Sequence, residues 1–476
     1  VRRDPGRNPR DIGYSFAVAV VALLPRLYVA IAWAREPVWD GHYYHFGAER
    51  IARGLGYSED VVIAGQAVWK PWCHYPVGYS GLLGVVYRVF GSGIGVAPVL
   101  NALFGTLLVV VVHRLGLRFF SETRARVAAA LAALHPGLIA YSAVTMTEIT
   151  AALLIALGAA AWLWLADRVP SERGKWGAAA LSGVVLGLAV LVRPSTLMLV
   201  PFLGLLEQRF SWRGVLRAGA ATLVAIAVVL PWTIRNCRVM DGCALVSTNG
   251  GWNLAIGSVF DSGRFETLRG KDGCPAVTGQ VQQDRCWGRI GRERILAAPG
   301  RWLSLMPKKL GHTWDHESFA IEYVREANPG SWPEERRVAG RQLTTTFHRL
   351  LLIAGALGAV AWVSRREADV RKKIAQWGLL GLVAVLGLWA TIADHHPFYW
   401  LAVLTPIAGF LPLPGRPALG RVARYLFAVV ASTSVIHAVF FGDDRYHLVT
   451  SWAFCLLAAA MFRHPHSPTP EARMNG

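Results

Sequence analysis

Apolar runs recur along the chain from Tyr14 to Phe462, several of them 18 residues or longer with almost no charge. A helix rises about 1.5 Å per residue, so each such run can cross about 30 Å of hydrocarbon. The pattern predicts spanning helices over 14–34, 95–113, 127–142, 148–166, 177–192, 195–208, 214–232, 346–363, 374–393, 397–413, 421–440 and 446–462. Twelve is an even number, which puts the two tails, 1–13 and 463–476, on the same side. The rest divides into an N-terminal transmembrane module, 14–232, with a large first loop over 35–94; a second long loop, 233–345; and C-terminal transmembrane helices, 346–462. The expected fold class is an all-α polytopic membrane protein of about twelve transmembrane helices, with juxtamembrane helices and one long extracytoplasmic loop.

Both loops are too large to be mere turns. Asp40 to Arg53 has few helix breakers and reads as a short surface helix with an acid at its start, where Asp40 serves either as a cap or as a functional carboxylate. After Gly78 only about a dozen apolar residues follow, too few to span, so an interfacial or re-entrant helix is expected there. Residues 286–312 alternate Trp287, Ile290, Trp302 and Leu305 with Arg289, Arg292, Arg301 and Lys308, the composition of helices that lie on a membrane surface.

Composition narrows the function. Hydrophobic residues make up 54% of the chain and charged residues 17%, against roughly 25% in an ordinary soluble domain. A soluble fold, disorder and coiled coil are excluded, and GxxxxGK[ST], HExxH, CxxC and GxGxxG motifs are absent. The net charge of +19 suggests nucleic acid until its distribution is read. With both tails cytoplasmic, the inner segments carry 24 Lys and Arg, including Arg114, Arg118, Arg124 and Arg126, while the outer segments apart from the long loop carry seven. The positive-inside rule then fixes the orientation, and the excess charge needs membrane lipid rather than nucleic acid as its partner. Five of six cysteines, Cys73, Cys237, Cys243, Cys274 and Cys286, fall on the outer side, where disulfides persist. Of the three pairings open to the four in the long loop, Cys237 with Cys243 and Cys274 with Cys286 are the most local; free thiols remain the alternative.

Polar side chains gather at the outer helix ends: Glu148, Arg193, Asp394-His395-His396 and Asp443-Asp444-Arg445-Tyr446. A solvated interface accounts for each singly, and a convergent pocket accounts for them together. Such a pocket suits a phosphate-bearing lipid, because cations neutralise phosphate while a carboxylate deprotonates or orients an attacking group. Ser247-Thr248-Asn249-Gly250-Gly251 adds backbone N–H groups free to meet a ligand oxygen, or forms a plain tight turn. Arg26, well inside the first helix, is a functional candidate by position, or pairs with a neighbouring helix.

These elements resemble the GT-C superfamily of polyprenyl-phosphate-sugar glycosyltransferases, in particular bacterial relatives of protein mannosyltransferases and the lipid A aminoarabinose transferase. The resemblance rests on Trp39-Asp40-Gly41, Tyr75-Pro76-Val77-Gly78-Tyr79, Glu148, Leu191-Val192-Arg193-Pro194, Pro231-Trp232-Thr233-Ile234-Arg235-Asn236, Ser247-Thr248-Asn249-Gly250-Gly251 and Gly442-Asp443-Asp444-Arg445-Tyr446. It implies sugar transfer from a polyprenyl-phosphate-sugar donor to a lipid, glycan or protein acceptor on the outer face, with inversion. It further implies Asp40 and Glu148 as the catalytic acids, and Arg193, Arg235, His396, Arg445, Tyr446 and Asn249 as binding residues for lipid phosphate or acceptor. Val77 stands where relatives often have a second proline, and Val449-Thr450-Ser451 replaces a proline-containing stretch. No metal is assigned to the site; a divalent metal is left open, with His42 and His45 as the ligands nearest Asp40. A flippase of lipid-linked sugars and a scaffold packed through Gly183-xxx-Gly187 are the other classes.

Overall fold

The computed structural model describes residues 9–169, 171–207, 211–275, 279–363, 398–410 and 421–462, together with 378, 381–385, 387 and 389. The first run forms α1 (Pro9–Ala32), followed by α2 (Trp39–Ala52), the hairpin β1 (Ser58–Ile63) and β2 (Gln66–Pro71), and α3 (Val77–Phe90). Next come α4 (Val96–Phe119), α5 (Glu122–Ala133), α6 (Pro136–Ala140), α7 (Glu148–Arg168), α8 (Glu172–Val192), a 3-10 segment (Pro194–Leu206) and α9 (Trp212–Val239). The second loop holds α10 (Gly250–Val259), α11 (Gln280–Ala297), α12 (Pro299–Ser304), α13 (Met306–Trp314) and α14 (Phe319–Ala327). The chain continues with α15 (Glu334–Val363), α16 (Tyr399–Phe410), α17 (Arg421–Val439), a 3-10 turn (Tyr446–Thr450) and α18 (Ser451–Ala459).

Among the described residues six helices are long and apolar enough to span: α1, α4, α7, α8, α9 and Val422–Val439 of α17. Other expected spans take different forms. The 127–142 run is interrupted before Pro136, which cannot continue a helix from the preceding turn, so α5 stops at Ala133 and α6 starts afresh. The 195–208 run is 3-10 as far as Leu206, and the 446–462 run opens as a 3-10 turn before α18. The 346–363 run is the C-terminal part of the 30-residue α15. Most of the 374–393 run and the ends of the 397–413 run lie outside the described residues.

The break after α5 explains Arg26. A helix leaves its last carbonyls without intrahelical partners, and in an apolar bundle no water satisfies them. Arg26, fully buried, donates to the carbonyls of Ala132 and Ala133 at 2.8 Å each and to Ala22 at 2.9 Å. This intramembrane charge is a staple between α1 and the broken helix. The Gly183-xxx-Gly187 stripe, read from the sequence as the packing contact of a scaffold, is used within the chain: both glycines lie against Ala221, Ala225 and neighbouring residues of α9.

The hairpin is not expected from the sequence. It turns at Ala64 and Gly65, both at positive φ, with Val62, Ile63, Val68 and Trp69 exposed near its tip. Both local cysteine pairs form, Cys237–Cys243 and Cys274–Cys286, while Cys73 and Cys455 are free and buried.

Ion pairs and capping contacts sort the helix ends. Arg118 pairs with Asp167, Arg217 with Glu172 and Glu207, Arg124 donates to the Phe462 carbonyl, and Arg424 to that of Glu207 at 2.8 Å. The lysine and arginine asymmetry puts all these segments on one side. Glu148 and Arg193 occupy the opposite ends of α7 and α8, about 30 Å away along a 21-residue helix.

Candidate active site

The chain enters α2 through Val38, whose N–H donates to the Tyr323 hydroxyl of α14 at 3.1 Å. Trp39 follows at φ +50°, an unusual conformation for a bulky residue, and its ring packs on Phe319 and Tyr323. Gly41 must be glycine here: a Cβ would collide with the Tyr323 hydroxyl and lie 3.0 Å from the Thr145 carbonyl. The α2 cap is Val38, and Asp40 makes no capping bond. Its carboxylate instead turns into a cavity of about 420 Å³, where Oδ1 accepts from the Tyr75 hydroxyl at 2.7 Å and Oδ2 from Arg445 at 2.6 Å.

Burial alone would push the Asp40 carboxyl up; Arg445, the Tyr75 hydroxyl and His74 outweigh it and hold the group below the usual carboxylate range. Across the same cavity Glu148, at the start of α7, pairs with Arg193, the residue that ends α8, at 3.0 Å. Two atoms there are buried without a hydrogen-bond partner: Glu148 Oε2 and Arg445 Nε. Buried polar atoms are nearly always bonded, so these two carry unmet hydrogen-bonding capacity at the cavity wall.

The segment that carries Arg445 is fixed residue by residue. Gly442 bonds to the Gly263 carbonyl at 2.9 Å. Asp444 accepts from the Ser318 and Phe319 N–H groups and the Ser318 hydroxyl, capping α14. Tyr446 stacks on His437 of α17 with centroids 4.0 Å apart, and its hydroxyl accepts from Arg445 at 3.2 Å. Burial pushes the Asp443 carboxyl up to about 7 despite Arg445, whose Nε is 3.9 Å away.

Of the residues expected at the site, Asp40, Glu148, Arg193, Asn249, Arg445 and Tyr446 line this one cavity. Arg235 does not. Its guanidinium donates to the carbonyls of Trp72 and Tyr57 at 3.1 and 2.6 Å and stacks on Trp232, tying α9 to the hairpin. His396 lies outside the described residues. The possible metal ligands beside Asp40 face elsewhere: His45 bonds the Tyr87 hydroxyl at 2.7 Å, and the exposed His42 stacks on Phe46. Tyr75, His74, Trp252 and His437 also line the cavity, and sequence reasoning does not single them out. Tyr75 stands in one of the elements of the resemblance and His74 just before it, but nothing in their spacing shows which side chain reaches Asp40.

Residues 74–234, the stretch that supplies Glu148, Arg193 and Tyr75, match the dolichyl-phosphate-mannose-protein mannosyltransferase family. The chain resembles the GT-C superfamily of membrane glycosyltransferases. It is an all-α polytopic membrane protein, with six helices long and apolar enough to span among the described residues. No curated protein sequence matches the chain. Among solved structures, the oligosaccharyltransferase AglB from Archaeoglobus fulgidus, with an inhibitory peptide and a dolichol-phosphate, is 15% identical with a TM-score of 0.43, over 94% of this chain and 50% of that one. ArnT from Cupriavidus metallidurans, bound to undecaprenyl phosphate, is 17% identical with a TM-score of 0.37, over 94% of this chain and 77% of that one. The chain thus spans about half the length of the archaeal oligosaccharyltransferase.

Proposed function

We propose that this GT-C type protein transfers a sugar from a polyprenyl-phosphate donor to an acceptor hydroxyl on the outer face of the membrane, with inversion. The observation that carries the reading is the pairing of two acids with two arginines around one cavity, Asp40 with Arg445 and Glu148 with Arg193, with one acceptor and one charged donor left unbonded. In this reading Arg445 and Arg193 take the lipid phosphate, and Asn249 and Tyr446 border the sugar. The acceptor oxygen forms its bond to the anomeric carbon as the bond to phosphate oxygen breaks. Its proton goes to Asp40, the leaving phosphate gains charge facing the arginines, and preorganised cations stabilise that charge by a few kcal/mol. Glu148 orients Arg193 and offers its free oxygen to the sugar or acceptor.

The outer face is supported by the lysine and arginine asymmetry and by two disulfides in the loop flanking the cavity. The test is purified protein in nanodiscs with a panel of polyprenyl-phosphate sugars, scored by release of polyprenyl phosphate and by glycosylated product. Binding of one donor with release that depends on an acceptor is the expected result. Absence of both binding and release across the panel would refute it.

A further inference from the structure

Glu317, His348 and His447 meet behind the cavity, from the loop between α13 and α14, from α15 and from the turn that follows Arg445. All three are buried, none lines the cavity, and their ligand atoms lie within 4.8 Å of one another. The backbone sets the protons. His447 Nδ1 is 2.7 Å from the Thr313 carbonyl and His348 Nε2 is 2.9 Å from the Trp314 carbonyl. A carbonyl only accepts, so those two nitrogens carry hydrogen, and in a neutral ring the other nitrogen is a bare lone pair. Both lone pairs face one carboxylate oxygen: His447 Nε2 is 2.9 Å and His348 Nδ1 4.0 Å from Glu317 Oε2.

Lone pairs turned on a carboxylate repel unless a cation stands among them, and without a metal the 2.9 Å contact demands a second proton on buried His447 or one on Glu317. An imidazole whose far N–H is held by a backbone carbonyl is the outer-shell arrangement of metal-binding histidines. Glu317 adds a second signal: its Oε1 is buried with no hydrogen-bond partner, so the carboxylate has an oxygen to spare for bidentate ligation. Room for it exists because residue 137 is glycine; any Cβ there would collide with that carboxylate.

We propose that Glu317, His348 and His447 bind one Zn²⁺ ion. Two imidazole nitrogens and a carboxylate are a zinc donor set, with bonds of about 2.0–2.2 Å. Ligand atoms on a tetrahedral ion of that size stand roughly 3.4 Å apart, between the 2.9 and 4.0 Å found. The ion acts as a staple. It joins α15 and the loop before α14 to the turn that begins at Tyr446, so it fixes the segment on which Arg445 sits.

The test needs no activity. Full-length protein purified without chelator, then loaded with zinc and desalted, should hold about one equivalent by elemental analysis. Co²⁺ loading of chelator-treated protein should give the visible d–d bands of a four- or five-coordinate site, and zinc should raise the midpoint of thermal unfolding. Glu317→Gln and the pair His348→Asn with His447→Asn should lose the ion, while His42→Asn keeps it. A wild-type protein with less than about a tenth of an equivalent after loading and no cobalt spectrum would overturn the proposal, even if the variants fold poorly. Full stoichiometry in the folded double variant would overturn it as well.

Discussion

Asp40→Asn separates the two jobs of the Asp40–Arg445 pair. In the free protein the pair is closed at 2.6 Å, so the arginine that would take a lipid phosphate is already bonded to the carboxylate that would take a proton. An asparagine oxygen still accepts from charged Arg445, so a charge-assisted hydrogen bond survives and the substitution removes only the ion-pair attraction, on the order of 1 kcal/mol for a pair bordering a cavity. Donor affinity should therefore rise by up to about tenfold. Turnover should fall. An amide has no basic oxygen, and loss of a general base costs about 100- to 10,000-fold.

The assay pairs equilibrium binding of a polyprenyl-phosphate sugar with single-turnover transfer to a neutral hydroxyl acceptor, both in nanodiscs. Tighter binding with slower transfer is not the outcome of misfolding, nor of losing a helix cap, since the cap position is Val38. Unchanged affinity would mean that Arg445 does not meet the phosphate. Wild-type transfer would remove Asp40 from the chemistry. Since Arg445 holds the Asp40 carboxyl below its usual range, a phosphate that draws the arginine away also returns basicity to Asp40. Donor binding and base activation are then one event.

Other expectations follow from single contacts. Asp443, pushed up to about 7, is neutral below that pH and charged above it, where it competes for Arg445; donor affinity should weaken severalfold from about pH 6 to 8 in wild type and stay flat in Asp443→Asn. For stability, a raised carboxyl keeps a proton in the folded state that the unfolded chain has lost, so the contribution of Asp443 falls as pH rises between 3.8 and about 7. The depressed Asp40 works oppositely: its contribution is present above 3.8 and is lost as pH falls through its lower folded value, and both signs can be read in the denaturation midpoint against pH. Arg26→Met leaves the Ala132 and Ala133 carbonyls bare and should cost about 3 kcal/mol or more in unfolding free energy, without changing donor affinity of the folded fraction. Gly41→Ala should cut transfer at least about tenfold by displacing Asp40, whose geometry catalysis needs, and adding Tyr323→Phe, which removes the colliding hydroxyl, should restore part of it; no rescue would show that the close approach is not the cause.

Hydropathy gave the bundle because a bilayer imposes length and apolarity on any spanning segment, and α1, α4, α7, α8, α9 and α17 obey both. It overread 127–142 and 195–208, where composition is apolar but Pro136, Pro194 and Pro201 alter the backbone. The site was legible where charge is expensive. Glu148, Arg193 and Arg445 stand out because ionisable groups at the ends of apolar helices demand partners, and Asp40 because it opens the surface helix of the first loop and matches an acid of the resembled family. Arg235 rests on the resemblance alone, and its guanidinium is taken up by the Trp72 and Tyr57 carbonyls that flank the hairpin. The hairpin itself was hidden because Ser58–Pro71 lacks the Asn-Gly or Asp-Gly turn signal, using Ala64-Gly65 instead. Glu317, His348 and His447 are scattered over three elements, and no spacing rule joins them.

The six residues from Gly442 to His447 show why a sequence can point to a segment without giving the partner of each of its side chains. In a turn, successive side chains leave in different directions, so adjacent residues serve unrelated neighbours. Asp444 caps α14, Arg445 reaches Asp40 some 405 positions away in sequence, Tyr446 lies on His437, and His447 turns to Glu317. Each contact alone is weak against the entropy of ordering a loop. Together they leave Arg445 one position, because moving it would uncap a helix, unstack a ring and break the Glu317 contact at once. Cationic preorganisation of this kind is what transition-state stabilisation requires, since a guanidinium that had to reorganise as charge developed would lose most of its effect. A one-residue insertion after Asp444 would redirect every side chain beyond it and should abolish donor binding while sparing α17 and α18, whose packing lies within the bundle.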